Sequence, residues 1–342
     1  MATYLVPQDA KVLVAGRVDK CANLSLLLAR FVPEEAIYNK DNWSTEKFDK
    51  RKFRDGWLQE RVCSQFNVKN NAPWQTLLES QFSRWKLMTT GAARFQARSL
   101  GRLIIGLGGK GPMEFGLTVQ HVTGLPIIPG SALKGLTRAY ALLTIAEKLG
   151  VPLLNAKELR ELVEAESKPK SERKVRSKVE LLDAVLAGVD EERERNVSDL
   201  QNEVSTFDLN QLNNLPDAQA YSVAFGSQDG AGGCIFYDAL ITGIKGLPPQ
   251  GTLFEVDVMT PHFGDYYQEK AAPHDADSPV PVSFMTVAAR TTFAFAVKPR
   301  SGYPETLVET VVKWTQSALS ELGIGAKTAA GYGVFGEPSP LP

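Results

Sequence analysis

Lys134 and Arg138 stand one helical turn apart in a stretch, residues 126–138, where rigid backbone gives way to helix-favouring sequence. Pro126, Pro129 and Gly130 end the preceding segment. Ser131 then has the side chain of an N-cap, able to accept a hydrogen bond from a first-turn N–H. Residues at this spacing share a helix face, so the two cations stack over the opening turns, and Gly135 between them leaves the backbone open to close approach. Free N–H groups, the positive end of the helix dipole and the paired cations make an anion site, for which phosphate is the natural ligand. The same pair could equally be an ordinary solvated helix face.

A second grouping lies near the C-terminus, where Gly323, Gly325, Gly331 and Gly333 surround Lys327 and Thr328. A Walker A loop needs glycine where Ala326 stands, and a helix after the loop rather than before it. A dinucleotide fingerprint needs glycine where Thr328 stands. What remains is a flexible, backbone-exposed loop suited to wrapping an extended phosphate backbone. A helix C-cap followed by a turn would explain Gly323 but hardly the other three glycines.

Catalytic groupings are sparse. His121, His262 and His274 show no HExxH or paired spacing, and no GxSxG elbow occurs. Asp257, His262 and Asp265 could converge on a metal or a proton, but a strand end and a turn account for them as well. Asp229 and Asp238, beside a glycine turn, read the same way. No metal and no cofactor is expected.

The elements that must position these residues follow from periodicity. The helix from Ser131 buries Leu133, Leu136, Tyr140 and Leu143 and stops at Gly150. Residues 102–107 and 115–119 read as strands before it, and residues 221–226, 235–237, 254–259, 280–287 and 291–297 as strands after it. A last helix starts at Pro304, buries Leu307, Val311, Trp314, Ala318 and Leu322, and leads through the glycine loop to a short strand at Val334-Phe335. Residues 151–220 look inserted, with mixed charge and few aromatics, as in surface helices joined by mobile loops. Residues 1–90 are rich in tryptophan, with Trp43, Trp57, Trp74 and Trp85. Their cation-flanked aromatics could stack bases but read better as a helical core face. The expected fold is α+β: a β-α-β-β-α-β, ferredoxin-like core over residues 97–342 with the helical insertion 151–220, and a helical, aromatic-rich extension over residues 1–96 packed upon it.

Composition removes whole classes of function. Lys plus Arg total 38 against 39 for Asp plus Glu, so no global field draws in nucleic acid or anionic membrane, and any such binding must be local. Cys21, Cys63 and Cys234 are scattered and odd in number, which argues against a disulfide framework and fits a reducing compartment. No apolar run is long enough to span a bilayer, so a cytoplasmic protein is expected.

Several motifs occur together in a meaningful order. Residues 125–135, reading LPIIPGSALKG, resemble the PGSSLKG-type segment of the RAMP superfamily of CRISPR proteins, and residues 323–335 look like its C-terminal glycine-rich loop. Phe225-Gly226-Ser227 with Phe236-Tyr237-Asp238-Ala239 is similar to the middle motif of that superfamily. Residues 104–108 and 257–263 resemble the sixth-subunit family of the Cmr-type, type III-B effector complex. The resemblance covers residues 97–336, without the insertion. It implies an RRM-related, non-catalytic RNA-binding subunit that holds the 3′ part of the CRISPR RNA. Its expected neighbours are the repeating backbone subunit and the terminal two-domain subunit, with target RNA present in the assembled complex. By motif position, Ser131, Lys134 and Arg138 would hold guide phosphates, and Gly325, Lys327, Thr328, Gly331 and Gly333 would wrap the strand. Ala132 stands where serine is commoner, which removes one hydroxyl contact. The alternative is a RAMP endoribonuclease acting on CRISPR or target RNA through His262 or Asp257.

Overall fold

The computed structural model describes residues 23, 24, 27, 56–63, 68, 71–107, 116–153, 158, 160, 161, 177–188, 190–227, 230–260 and 281–341. Helix α1 (Ala72–Met88) leads to strand β1 (Ala93–Arg98) and helix α2 (Gly130–Lys148). Four helices follow: α3 (Lys178–Ala187), α4 (Asp190–Glu203), α5 (Leu209–Asn214) and α6 (Pro216–Phe225). Strands β2 (Cys234–Phe236), β3 (Leu240–Ile241), β4 (Phe254–Met259), β5 (Val282–Val287) and β6 (Thr292–Pro299) come next, then helix α7 (Glu305–Glu321) and the short β7 (Ser339–Pro340). The result is a mixed α/β protein with antiparallel sheets.

The main sheet runs β2-β6-β1-β7, with β3 also paired to β6, and every one of these pairings is antiparallel. Strand β6 is central because its alternation suits two buried faces: Phe293, Phe295 and Val297 on one side, Ala294 and Ala296 on the other, all at most 2% exposed. Phe295 stacks on Phe95 of β1 at 5.0 Å and meets Phe335 edge-on at 5.5 Å. The alanine face accepts α1, whose Phe82 and Trp85 close over Leu240, Ala294 and Ala296. Small residues on the sheet let a tryptophan-bearing helix lie close. That face, which carries RNA in RNA-recognition folds, is therefore covered here around β6. Strands β4 and β5 form a separate antiparallel pair, joined to the chain after β1 through a bridge between Leu103 and Val287.

Several expected elements differ. The first strand lies at residues 93–98, upstream of 102–107. Leu103 and Ile104 are buried all the same, but the carbonyls of Arg102 and Ile104 accept from Gly333 and Ala326 of the glycine loop instead of a full strand ladder. In the segment 115–119, Val119 forms only a bridge to Pro126. Residues 221–226 fall mostly in helix α6, not in a strand. Pro216 opens the helix, and Ala218, Tyr221, Ala224 and Phe225 recur at helical spacing on its buried side. Val334-Phe335 contributes one bridge, Ser99 to Phe335.

Residues 177–220, nearly all of them described, pack as helices and share a hydrophobic cluster with the core. Leu182, Val185 and Leu200 join Tyr221, just beyond the insertion, with Ile145 of α2 and Val311 and Trp314 of α7. Ser177 caps α3 through a complete capping box with Glu180. Near the N-terminus, Asn71 caps α1 by accepting from the Trp74 N–H. Among the described residues no helix is long and apolar enough to cross a membrane. Cys63 and Cys234 are buried free thiols, pushed up to about 12 and about 11 by burial.

Candidate nucleic-acid interface

Helix α2 starts one residue before the expected cap. Pro129 occupies the cap position with extended backbone and no side-chain bond, so Ser131 lies inside the first turn, exposed, and is not the N-cap. The capping oxygen comes from elsewhere: Asp238 Oδ1, beyond β2, accepts from the Gly130 N–H at 2.7 Å. The Ala132 and Leu133 N–H groups both donate to the Pro129 carbonyl. Among the described residues, the Ser131 N–H is then the first-turn donor left without an internal acceptor, beside its own hydroxyl.

The buried stripe of α2 is Leu133, Thr137, Ala141 and Ile145, rotated from the leucine and tyrosine positions that periodicity favours. Small residues win because α7 approaches closely. Thr137 and Thr315 share a buried hydrogen bond of 2.9 Å between the two helices, and the Leu133 or Val311 carbonyl lies within bonding distance of the hydroxyl that accepts it. Tyr140 instead reaches Glu321 at the end of α7, at 2.9 Å.

The two cations of α2 have different surroundings. Arg138 Nη2 contacts both carboxylate oxygens of Asp183 in α3, at 2.8 and 3.0 Å, while its Nε donates to the Tyr221 hydroxyl at 2.9 Å. Tyr221 in turn donates to Asp183 at 2.5 Å, and burial together with that carboxylate raises its pKa. Arg138 thus ties the insertion to the core helix. Lys134, half-buried, has no carboxylate in ion-pair range among the described residues. Its charge acts on Cys234 of β2, opposing the upward push of burial on that thiol. Gly135 has open space where a side chain would begin.

The glycine loop is anchored, not loose. Ala326 and Gly333 donate to the Ile104 and Arg102 carbonyls at 2.8 Å each, and Ile324 donates to Gly333 at 2.9 Å. Gly325 and Gly333 have φ of +100° and +67°, and a side chain on either would strike the carbonyl of Ile104 or Ile324, at 2.1 and 1.9 Å. Close backbone approach, more than flexibility, demands glycine at both. Gly331, also left-handed, faces open space, and Thr328 begins a short 3-10 turn. Lys327 adopts left-handed backbone and sets its ammonium over the Phe284 ring at 5.6 Å. The structure rests the loop and α2 on one hydrophobic cluster, through Ile324 and Leu133, yet places Lys134 beside β2 and Lys327 above β5.

An ionic network fixes the far side of the loop, and sequence reasoning missed it. Arg102 bonds Glu255 at 2.7 Å and Asp257 at 2.6 Å, and the Tyr332 hydroxyl donates to Asp257. The acidic face of β4 was the only signal, because an alternating strand with carboxylates needs a cation opposite. Burial opposes ionisation of Asp257, but bonds from Tyr332, the Val258 N–H and Arg102 outweigh it and hold the carboxyl below its ordinary value. His262 and Asp265 lie outside the described residues. Among the described residues no group of His, Cys, Asp and Glu is arranged to hold a metal ion.

Residues 96–336 match the RAMP superfamily. The chain belongs to that superfamily. This RAMP protein is 30% identical over 249 residues to the CRISPR system Cmr subunit Cmr6 of Pyrococcus furiosus, across 70% of this chain and 66% of that one. It therefore spans just under two thirds of that relative. Its fold resembles a chain in the cryo-EM structure of the Type III-B Cmr-beta bound to cognate target RNA, with a TM-score of 0.51, 18% identity, and coverage of 89% of this chain and 78% of that one. The crystal structure of Cmr6 from Pyrococcus furiosus aligns with a TM-score of 0.42 at 25% identity, over 72% of this chain and 97% of that one.

Proposed function

We propose that this RAMP protein is a non-catalytic, cytoplasmic RNA-binding subunit of a type III-B Cmr complex. It holds the 3′ part of the CRISPR RNA between the repeating backbone subunit and the terminal two-domain subunit, and meets target RNA in the assembled complex. The similarity to Cmr6 supports the assignment to the complex, and the strand order β2-β6-β1-β7 with α2 and α7 as the crossing helices supports a ferredoxin-like reading of the core. The observation that carries RNA binding is Lys134: a cation with no internal carboxylate among the described residues, one turn from the exposed Ser131 hydroxyl and N–H. In this reading Ser131 and Lys134 hold phosphates directly, and Arg138 supports the helix that presents them. Lys327, Thr328 and the backbone of Gly325 and Gly331 meet the strand from the loop, which Gly333 anchors.

The test is CRISPR RNA retention by the reconstituted complex across a salt titration. Lys134→Ala combined with Lys327→Ala is expected to weaken retention and to flatten the salt dependence by about one unit of slope for each phosphate that is no longer neutralised. Unchanged retention would overturn the phosphate assignment. Labelled repeat RNA incubated with the purified chain, with and without divalent metal, is expected to stay intact. Cleavage that disappears in His262→Ala or Asp257→Asn would favour the endoribonuclease instead.

A further inference from the structure

Among the described residues, two that are not glycine adopt left-handed backbone, and both are cations: Lys327 of the glycine loop, with φ of +59°, and Arg290, with φ of +65°. Glycine and asparagine take that conformation readily, whereas a long side chain does so against its own sterics. Arg290 lies in the turn between β5 and β6 and is held from both sides. Its N–H donates to the Ser99 carbonyl at 3.0 Å, and its carbonyl accepts from Arg98 Nε at 3.1 Å. Thr291 tightens the same turn through its hydroxyl bond to the Ala288 carbonyl at 2.7 Å. The surroundings thus enforce strained backbone at an exposed arginine where glycine would sit freely, so the side chain, not the turn, accounts for an arginine there.

Arg98 brings a second guanidinium to the same place. It is exposed and stands opposite Thr292 in the sheet register, beyond Ala294 and Ala296, the part of that face that α1 covers. Its Nε bonds the Arg290 carbonyl, while both Nη groups are without an acceptor among the described residues. The Arg290 guanidinium has no acceptor there either. Among the described residues no carboxylate, that of Glu337 included, stands within ion-pair range of either arginine. Two exposed guanidiniums, one fixed to the backbone of the other, offer the planar set of donors that holds phosphate.

The glycine loop leads to this pair. Residues 98–102 run alongside residues 331–336: the Arg98 carbonyl accepts from the Gly336 N–H at 2.9 Å, the Leu100 N–H donates to the Val334 carbonyl at 2.8 Å, and the Arg102 carbonyl accepts from Gly333. The Gly331 carbonyl lies 2.4 Å from where a Gly101 side chain would begin. Ser99 is buried, so Arg98 and Leu100, two residues apart, share the outward face, where Leu100 is 63% exposed. Arg98 is at most about 11 Å from Gly101, the length of three extended residues. At the stacked rise of about 3.4 Å, one strand covers that distance in about three nucleotides.

We propose that Arg98 and Arg290 form a second phosphate-binding site, which takes the single-stranded RNA as it leaves the exposed Gly331 and passes over Leu100. The proposal rests on the RNA-binding reading of the glycine loop and extends it by a site on the β5–β6 turn.

The test is CRISPR RNA retention by the reconstituted complex across a salt titration, beside the thermal midpoint of the purified chain. Arg290→Gly removes the guanidinium but keeps the carbonyl that holds Arg98, and it suits the backbone, so the midpoint should stay close to that of the wild type. Retention should weaken, with a salt slope lower by about one unit. Arg290→Lys keeps the charge and should keep the slope, whereas Arg98→Ala should lower it as Arg290→Gly does. Retention at the wild-type slope in Arg290→Gly and Arg98→Ala would overturn the site. Lys134→Ala combined with Lys327→Ala, read in parallel, separates it from the reading it rests on. If that combination flattens the slope and the arginine variants do not, the new site alone falls; if none does, both fall. An Arg290→Gly chain that enters the complex poorly, while the assembled fraction keeps the wild-type slope, would assign the arginines to an acidic surface of a neighbouring subunit and reject the RNA.

Discussion

Lys134 and Arg138 carry the same charge one turn apart, yet among the described residues only Arg138 has an internal carboxylate. Their substitutions should separate accordingly. Lys134→Ala should leave the thermal midpoint within about 2 °C of wild type, as surface changes do, while weakening RNA binding with a flatter salt slope. Arg138→Ala should behave in the opposite way. It removes the bonds to Asp183 and Tyr221, so the melting temperature falls, and Arg138→Lys should not restore it because an ammonium cannot reproduce the guanidinium's bonds to both partners. Differential scanning fluorimetry beside salt-dependent binding distinguishes the two. Asp257 gives a pH signature. Its folded pKa lies below the unfolded value of about 4, so its contribution to stability is complete above that pH and disappears as the pH falls through the folded value. The stability gap between wild type and Asp257→Asn should therefore be constant from neutral pH down to about 5 and shrink below about 4. A gap that narrows near neutrality would mean that Asp257 is not held as described.

At the scale of elements, the glycines of α2 and of the loop make opposite demands. Gly333 has positive φ and backbone against its Cα, so Gly333→Ala should cost at least about 2 kcal/mol in urea unfolding. Gly135 is helical with open space around it. Gly135→Ala should stabilise the protein by about 0.5–1 kcal/mol while weakening RNA binding if a phosphate backbone comes within contact of that turn. A variant that is more stable and binds RNA unchanged would show that no strand passes there. Helix α1 matters differently. By laying Phe82 and Trp85 on the alanine face of β6, it covers the sheet surface there, so that under the proposed function loops and helix ends would meet the RNA.

For the whole molecule, the insertion decides how the core helices are held. Leu182 of α3 is fully buried in the cluster that also holds Ile145, Val311 and Trp314. Leu182→Ala should cost about 2–5 kcal/mol, comparable with a truncation in the sheet core, and the loss should appear in the single unfolding transition of the core. A separate, earlier transition would mean that the insertion folds as an independent unit. The salt pair of Lys148 with Asp217 and the Arg138 bonds add polar ties across the same boundary.

Sequence alone determined what depends on local pattern. Alternation placed β4, β5 and β6, and amphipathic spacing placed α7. The glycine spacing and the PGSALKG segment carried the resemblance to the superfamily that residues 96–336 match. What it left open depends on contacts between distant segments. Whether residues 221–226 were strand or helix turned on packing against α2 and α7, since a short apolar run serves either form. The cap of α2 came from Asp238, more than a hundred residues away in the chain, so no local signal at Ser131 could reveal it. The rigidity of the glycine loop came from the carbonyls of Arg102 and Ile104, which the glycine content by itself does not foreshadow. Charge and spacing marked Lys134 and Arg138 as equals. Only the tertiary structure separated them, because an ion pair forms where a carboxylate is brought within reach, and Asp183 reaches Arg138 alone.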